Sequence, residues 1–93
     1  MTIGALEIDL GIPGVHSLKE KRMVLQSLKD RIRQEFNVSV AEVEHHDVWQ
    51  SSVVGVAVVS NDGRFANQVL SKVVDFVRSF SSVTVQDYRL AIF

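Results

Sequence analysis

TIGALEIDLGIPGVHSLKEKR, residues 2–22, holds a strand, a turn and a helix start in succession. Over 2–10, Leu6, Ile8 and Leu10 alternate with Ala5, Glu7 and Asp9, the period-two pattern of a half-buried strand. GIPG at 11–14 sets two glycines around the only proline and reads as turn chemistry. Ser17 then stands as a helix N-cap, with Glu20 placed to complete a capping box.

The rest of the chain extends this unit. Leu18, Leu25, Leu28, Ile32 and Phe36 recur at helical spacing as the core stripe of the first helix, which Asn37 stops. Residues 38–49, VSVAEVEHHDVW, predict a second strand, and QSS at 50–52 a short turn. VVGVAVVS at 53–60 predicts a third strand, apolar on both faces. NDG at 61–63 combines turn and N-cap residues. A second helix follows to about Phe80, with Ala66, Val69, Leu70, Val73, Phe76, Val77 and Phe80 inward and Lys72, Asp75 and Arg78 outward. Ser81 and Ser82 turn the chain into a last strand, 83–92. The order βαββαβ, with right-handed crossovers, predicts one ferredoxin-like α/β sandwich over residues 1–93. Its four-stranded antiparallel sheet takes the order 4-1-3-2 in the usual topology, with both helices on one face.

Composition bounds the function. The chain is 46% hydrophobic and 23% charged, which suits a folded globule of modest core. Its longest apolar run, Val53–Val59, is far too short for a bilayer crossing. The start MTIGALEID has no basic leader, and no cysteine exists for a disulfide or a thiolate metal site. These features predict a cytoplasmic protein with no membrane contact. A net charge of −1 argues against broad, non-specific nucleic-acid binding, so only a local basic face can do such work.

One segment has that character. Residues 16–36 hold six of the ten Lys and Arg residues. Lys19, Arg22, Gln26, Lys29 and Arg33 share a stripe flanking the core face of the first helix, and Lys21 lies nearer the core and has to snorkel. The topology places the 11–17 loop, the turn after Trp49 and Ser81–Ser82 at one end. That end gathers His16, Ser17, Lys19, Lys21, Arg22, Trp49 and Gln50 around the free N–H groups of the helix start. This set, with Lys29 and Arg33, is the expected RNA or anion surface. The plain alternative is a solvated face, with Trp49 in the core or a dimer contact.

Two helices cover only one sheet face. Val54, Val56 and Val58 point one way, and Val53, Ala57 and Val59 the other, with Gly55 among the latter. A second copy is the simplest cover for the open side, giving a homodimer face of Ala5, Glu7, Ala57, Val59 and Arg89. Shielding by longer neighbouring side chains is the alternative. Arg89 is the natural partner of Glu7 and Asp9 across the strands. EHHD at 44–47 does not make a metal site, because adjacent strand residues face opposite ways and two ligands are too few. Ser60, Asn61 and Asp62 read as capping residues, and His16 has no nucleophile or second acid–base group beside it.

SLKEKR (17–22), NVSVAEV (37–43), DVWQ (47–50) and VAVVSND (56–62) resemble the YlxP-like family of small bacterial proteins over nearly the whole chain. That family is a domain of unknown function whose genes often stand beside those for ribosome-binding factor A and a translation initiation factor. The resemblance implies a cytoplasmic bacterial protein tied to ribosome maturation or translation, and it supplies no catalytic residue. Two other relatives of this architecture fit less well. Acylphosphatases need an Arg opening the first helix, where this chain has Leu18. ACT regulatory domains share a Pro-Gly loop like Pro13–Gly14 but not the capping box and basic helix start. The expectation is a non-enzymatic binding module for RNA or a ribosomal particle, with no cofactor and no metal. The alternative is a homo-oligomeric structural or ligand-sensing module.

Overall fold

Ser17 Oγ accepts a hydrogen bond from the Glu20 backbone N–H at 3.1 Å, and the helix begins where the cap predicts. The structure, a computed structural model, describes residues 1–93. The elements run β1 (Thr2–Gly11), α1 (Leu18–Glu35), β2 (Ser39–Glu44), β3 (Ser51–Ser60), α2 (Gly63–Arg78) and β4 (Thr84–Ile92). All strand pairs are antiparallel, in the order β2-β3-β1-β4, which is the ferredoxin-like order.

One boundary differs from the sequence expectation. β2 stops at Glu44, and residues 45–50 form the hairpin loop, so Gln50 alone of QSS belongs to a turn. Ser51 and Ser52 already pair with Gly11 and Leu10 as the first residues of β3. β-propensity over HHDVW is overridden at His45, which takes a left-handed φ of 66° and breaks the strand.

The alternation in β1 does what its period dictates. Leu6, Ile8 and Leu10 are buried beneath the helices with Val54, Val56 and Val58 of β3. Leu25, Leu28 and Ile32 of α1 and Ala66, Leu70, Val73, Val74 and Val77 of α2 close the same core. The helices contact each other through Phe36 and Phe76, packed edge to face with ring centres 5.8 Å apart. Arg31, which lies outside the basic stripe, stands over the rings of Phe76 and Phe80. Asp62 caps α2 by accepting from the Arg64 N–H at 3.0 Å, the role its position predicts.

The opposite sheet face has no element over it. Register arranges its outward residues in rows across the strands. Ile3, Val59 and Phe93 form the first row, and the Ile3 and Phe93 backbones bond each other both ways. Ser39, Ala57, Ala5 and Ala91 form the second; Ala41, Gly55, Glu7 and Arg89 the third; Val53, Asp9 and Asp87 the fourth. Val53, assigned by sequence to the open side, is itself buried, beside the register shift in β2.

Candidate functional site

The loop after β1 and the tip of the central hairpin are tied together. Gln50 Nε2 donates to the Val15 carbonyl at 3.0 Å and to the Pro13 carbonyl at 3.4 Å, and the Ile12 N–H donates to the Gln50 carbonyl at 3.0 Å. Ser81 and Ser82 border the same hollow as Pro13, Gly14 and Val15. The three connections therefore share one end, as the strand directions require.

Lys21 locks the helix start to that tip. Its side chain is 1% exposed, its ammonium donates to the carbonyls of His45 and Val48, and it pairs with Glu42 Oε2 at 2.9 Å. Ser52 Oγ donates to the same carboxylate at 2.6 Å. An ammonium has three N–H donors, and three acceptors meet them here. The expectation that Lys21 snorkels out to contact phosphate is therefore corrected. A buried cation requires full pairing, and the pairing holds it inside.

The other expected contact residues separate by what they already bind. Ser17 is the N-cap, and the His16 N–H donates to Glu20 Oε2 at 2.9 Å, so the capping box closes on the residue before the cap. The Gln50 amide nitrogen is committed to loop carbonyls. Arg33 donates to the Val40 carbonyl at 3.0 Å and pairs with Asp30 at 3.4 Å. Lys19 and Arg22, both exposed, and the half-buried Lys29 take part in no ion pair. Trp49 is 50% exposed at the tip, which sets aside the core role, and Met23 and Val48 are also open to solvent. His45 and His46 lie in the loop rather than on a strand, and their rings bond separately, to Ser51 Oγ and to the Glu42 carbonyl.

Sequence reasoning missed Glu42 and Ser52 as partners of Lys21. The signal was there: Lys21 falls on the core face of α1, and Glu42 is an acid inside a strand that packs beneath it. The expected Arg89 clamp is present. Arg89 reaches Asp9 at 2.9 and 3.1 Å and Glu7 at 3.3 Å. The Arg89 hydrogen bond, against some desolvation and helped by its charge, holds the Asp9 carboxyl below its usual range.

Burial by itself would raise the Glu42 pKa. The hydrogen bonds from Ser52 and Lys21, with the Lys21 charge, outweigh that and hold it below the usual carboxylate range. A depressed carboxylate contributes stability above its unfolded value and loses it as pH falls through the folded one. Urea midpoints are therefore expected to be level above about pH 5 and to drop below it. Ser52→Ala should make that drop smaller and end it at higher pH, because the folded carboxyl moves back toward the unfolded one while the start of the drop stays where it was. An unchanged acid limb in Ser52→Ala would count against Ser52 holding Glu42 ionised.

With this geometry in view, residues 3–90 match the family model described as "Protein of unknown function (DUF503)". The chain belongs to the DUF503 family. It is 37% identical over 81 residues to the uncharacterized protein YlxP of Bacillus subtilis (strain 168), across 87% of this chain and 88% of that one. Among solved structures, this DUF503 chain is similar to the de novo designed protein Foldit4, with a TM-score of 0.52 and 12% identity over 98% and 96% of the two chains. It is also similar to SnoaB, a cofactor-independent oxygenase from Streptomyces nogalater, with a TM-score of 0.52 and 9% identity over 99% and 90%. At such identities these two show the fold alone. No helix of the DUF503 chain is long and apolar enough to cross a membrane.

Proposed function

We propose that this chain is a non-enzymatic binding module that contacts RNA, of the kind a ribosomal particle presents, through the start of α1 and the β2–β3 tip. The observation that carries the proposal is the set of unpaired cations on one flank of α1: Lys19 and Arg22 at the end where half-exposed Trp49 stands, and Lys29 about two to three turns further along. Two of the three carboxylates on that helix are turned to other work, Glu20 to the His16 N–H and Asp30 to Gln26 and Arg33, and the third, Glu35, stands at its far end. Cations without carboxylate partners are free to neutralise phosphates, and an exposed indole is a stacking platform for an unpaired base. The resemblance of SLKEKR and DVWQ to a family encoded beside ribosome-maturation genes supports the same reading.

Fluorescence anisotropy with a ribosomal RNA fragment over a salt series tests it. Replacing Lys19, Arg22 and Lys29 together by alanine is expected to flatten the slope of log K against log salt by about 2–3, since each phosphate contact releases roughly 0.7–0.9 counterions. Lys72→Ala, on the far side of α2, should leave the slope alone. A triple variant with the wild-type slope and affinity sinks the proposal.

A second reading rests on a separate observation, the sheet face with no element over it. Val59 and Phe93 stand out from it at 67% and 77% exposure, and we propose the face as a self-association surface.

A further inference from the structure

The rows of the open face are sorted by size. The first, Ile3, Val59 and Phe93, is bulky. The second, around Ala57, Ala5 and Ala91, is low and flat, and the third contains Gly55 between Ala41 and Glu7. Hollows open beside the alanines, one bordered by Ala5, Glu7, Arg89, Ala91 and Phe93, another by Ala5, Ala41, Val43, Gly55 and Ala57. On β3 the projecting Val59 stands one row above, and the gap at Gly55 one row below, the alanine row, so these two positions are complementary to a second copy under a two-fold axis, while Glu7 and Arg89 fill the rest of the third row.

Resting on the self-association reading, we propose that two copies pack sheet to sheet about a two-fold axis lying along the alanine row. That operation keeps each strand over its own counterpart and exchanges the first and third rows. Val59 then seats over Gly55 of the second copy, Phe93 over Arg89, and Ile3 over the stem of Glu7. Charge agrees with this register. The Arg89 guanidinium is 51% exposed and held by Asp9 and Glu7, so it offers a fixed cationic plane to an aromatic ring. The alternative occupants are disfavoured by the same charges: Glu7, Asp9 and Asp87 outnumber Arg89 on this face and repel RNA and anionic lipid. Asp9 and Asp87, in the fourth row, fall outside the three overlapped rows and stay wet.

The overlap is small. Three rows on four strands span about 20 Å by 19 Å, so on the order of 800 Å² is covered across both copies. That size is below what a stable dimer needs and belongs to weak, reversible association, so the proposed dimer is a concentration-dependent one.

Sedimentation equilibrium on the full chain from about 5 to 500 μM tests this. The wild type is expected to show a monomer–dimer equilibrium, weakened at least tenfold by Val59→Asp and by Phe93→Ala. Both side chains are exposed in the protomer, so thermal melts at concentrations where the wild type is monomeric should match it. The chain has no cysteine, which makes single introduced thiols unambiguous. Ala57→Cys, on the axis, should be joined to itself by a short bismaleimide, and Ser71→Cys, exposed on α2, should not. A monomer at every concentration overturns the self-association reading and this register with it. A dimer that ignores Val59→Asp and leaves Ala57→Cys unlinked overturns the register alone.

Discussion

Lys21→Ala is expected to lower the unfolding free energy by about 3–5 kcal/mol, because it leaves the partly buried Glu42 without its counter-ion and two carbonyls without a donor. Total stability for a domain of this size is on the order of 5–15 kcal/mol, so the loss is a large part of the whole. At roughly 4–8 °C per kcal/mol, the melting temperature should fall by at least about 12 °C. Lys19→Ala, two residues away and exposed, should stay within about 0.5 kcal/mol. The double variant Lys21→Met with Glu42→Met removes both charges and is expected to recover most of the loss, since a buried ion pair is often replaced by apolar groups at little cost. Urea titration of the four proteins decides the matter. If Lys21→Ala unfolds at the wild-type midpoint, the clamp contributes nothing.

The second large effect lies where α2 meets the sheet. Leu70 is fully buried, and a methyl group added at Gly4 would come within 2.8 Å of Leu70 Cδ1 and 3.4 Å of Ala66 Cβ. α2 thus sits against β1 with only glycine beneath it. Leu70→Ala is expected to cost about 2–5 kcal/mol through lost burial and the cavity left behind. Gly4→Ala should cost about 1–3 kcal/mol by pushing the helix outward. The two changes are coupled, because truncating Leu70 makes room for the new methyl, so the double variant should lose clearly less than the sum. Additive losses in chemical denaturation would mean that the two residues do not share this space.

The fold was legible because each element announced its period. TIGALEIDL reads as a strand with one wet face, the Ser17 cap and Leu25–Leu28–Ile32 spacing read as a helix, and the order of elements leaves few topologies. The hairpin tip was not legible in the same way. Strand chemistry in VSVAEVE runs on into HHDVW, and a histidine, though it tolerates a left-handed φ better than most residues, is too weak a signal to place the break. The break is held by a local turn, in which the Val48 N–H donates to the His45 carbonyl at 3.0 Å, and from outside by an ammonium on α1 that takes the carbonyls of His45 and Val48. The same distant contact reassigned Lys21 from surface to interior. The cationic flank was visible as composition, but which members stay free depended on neighbours in space: Arg33 went to Val40 and Asp30, and Lys19, Arg22 and Lys29 remained. The clamp of Arg89 on Glu7 and Asp9 was readable, since cross-strand pairing follows from register alone.

The loop of residues 45–50 has no glycine to relieve the left-handed residue at its start, and its shape depends on a side chain 24 positions earlier in the chain. The β2–β3 ribbon is therefore a poor place for folding to nucleate, although its strands are neighbours in sequence. The shape of its tip is completed by the start of α1, so what loosens that helix removes two of the bonds that hold this rim.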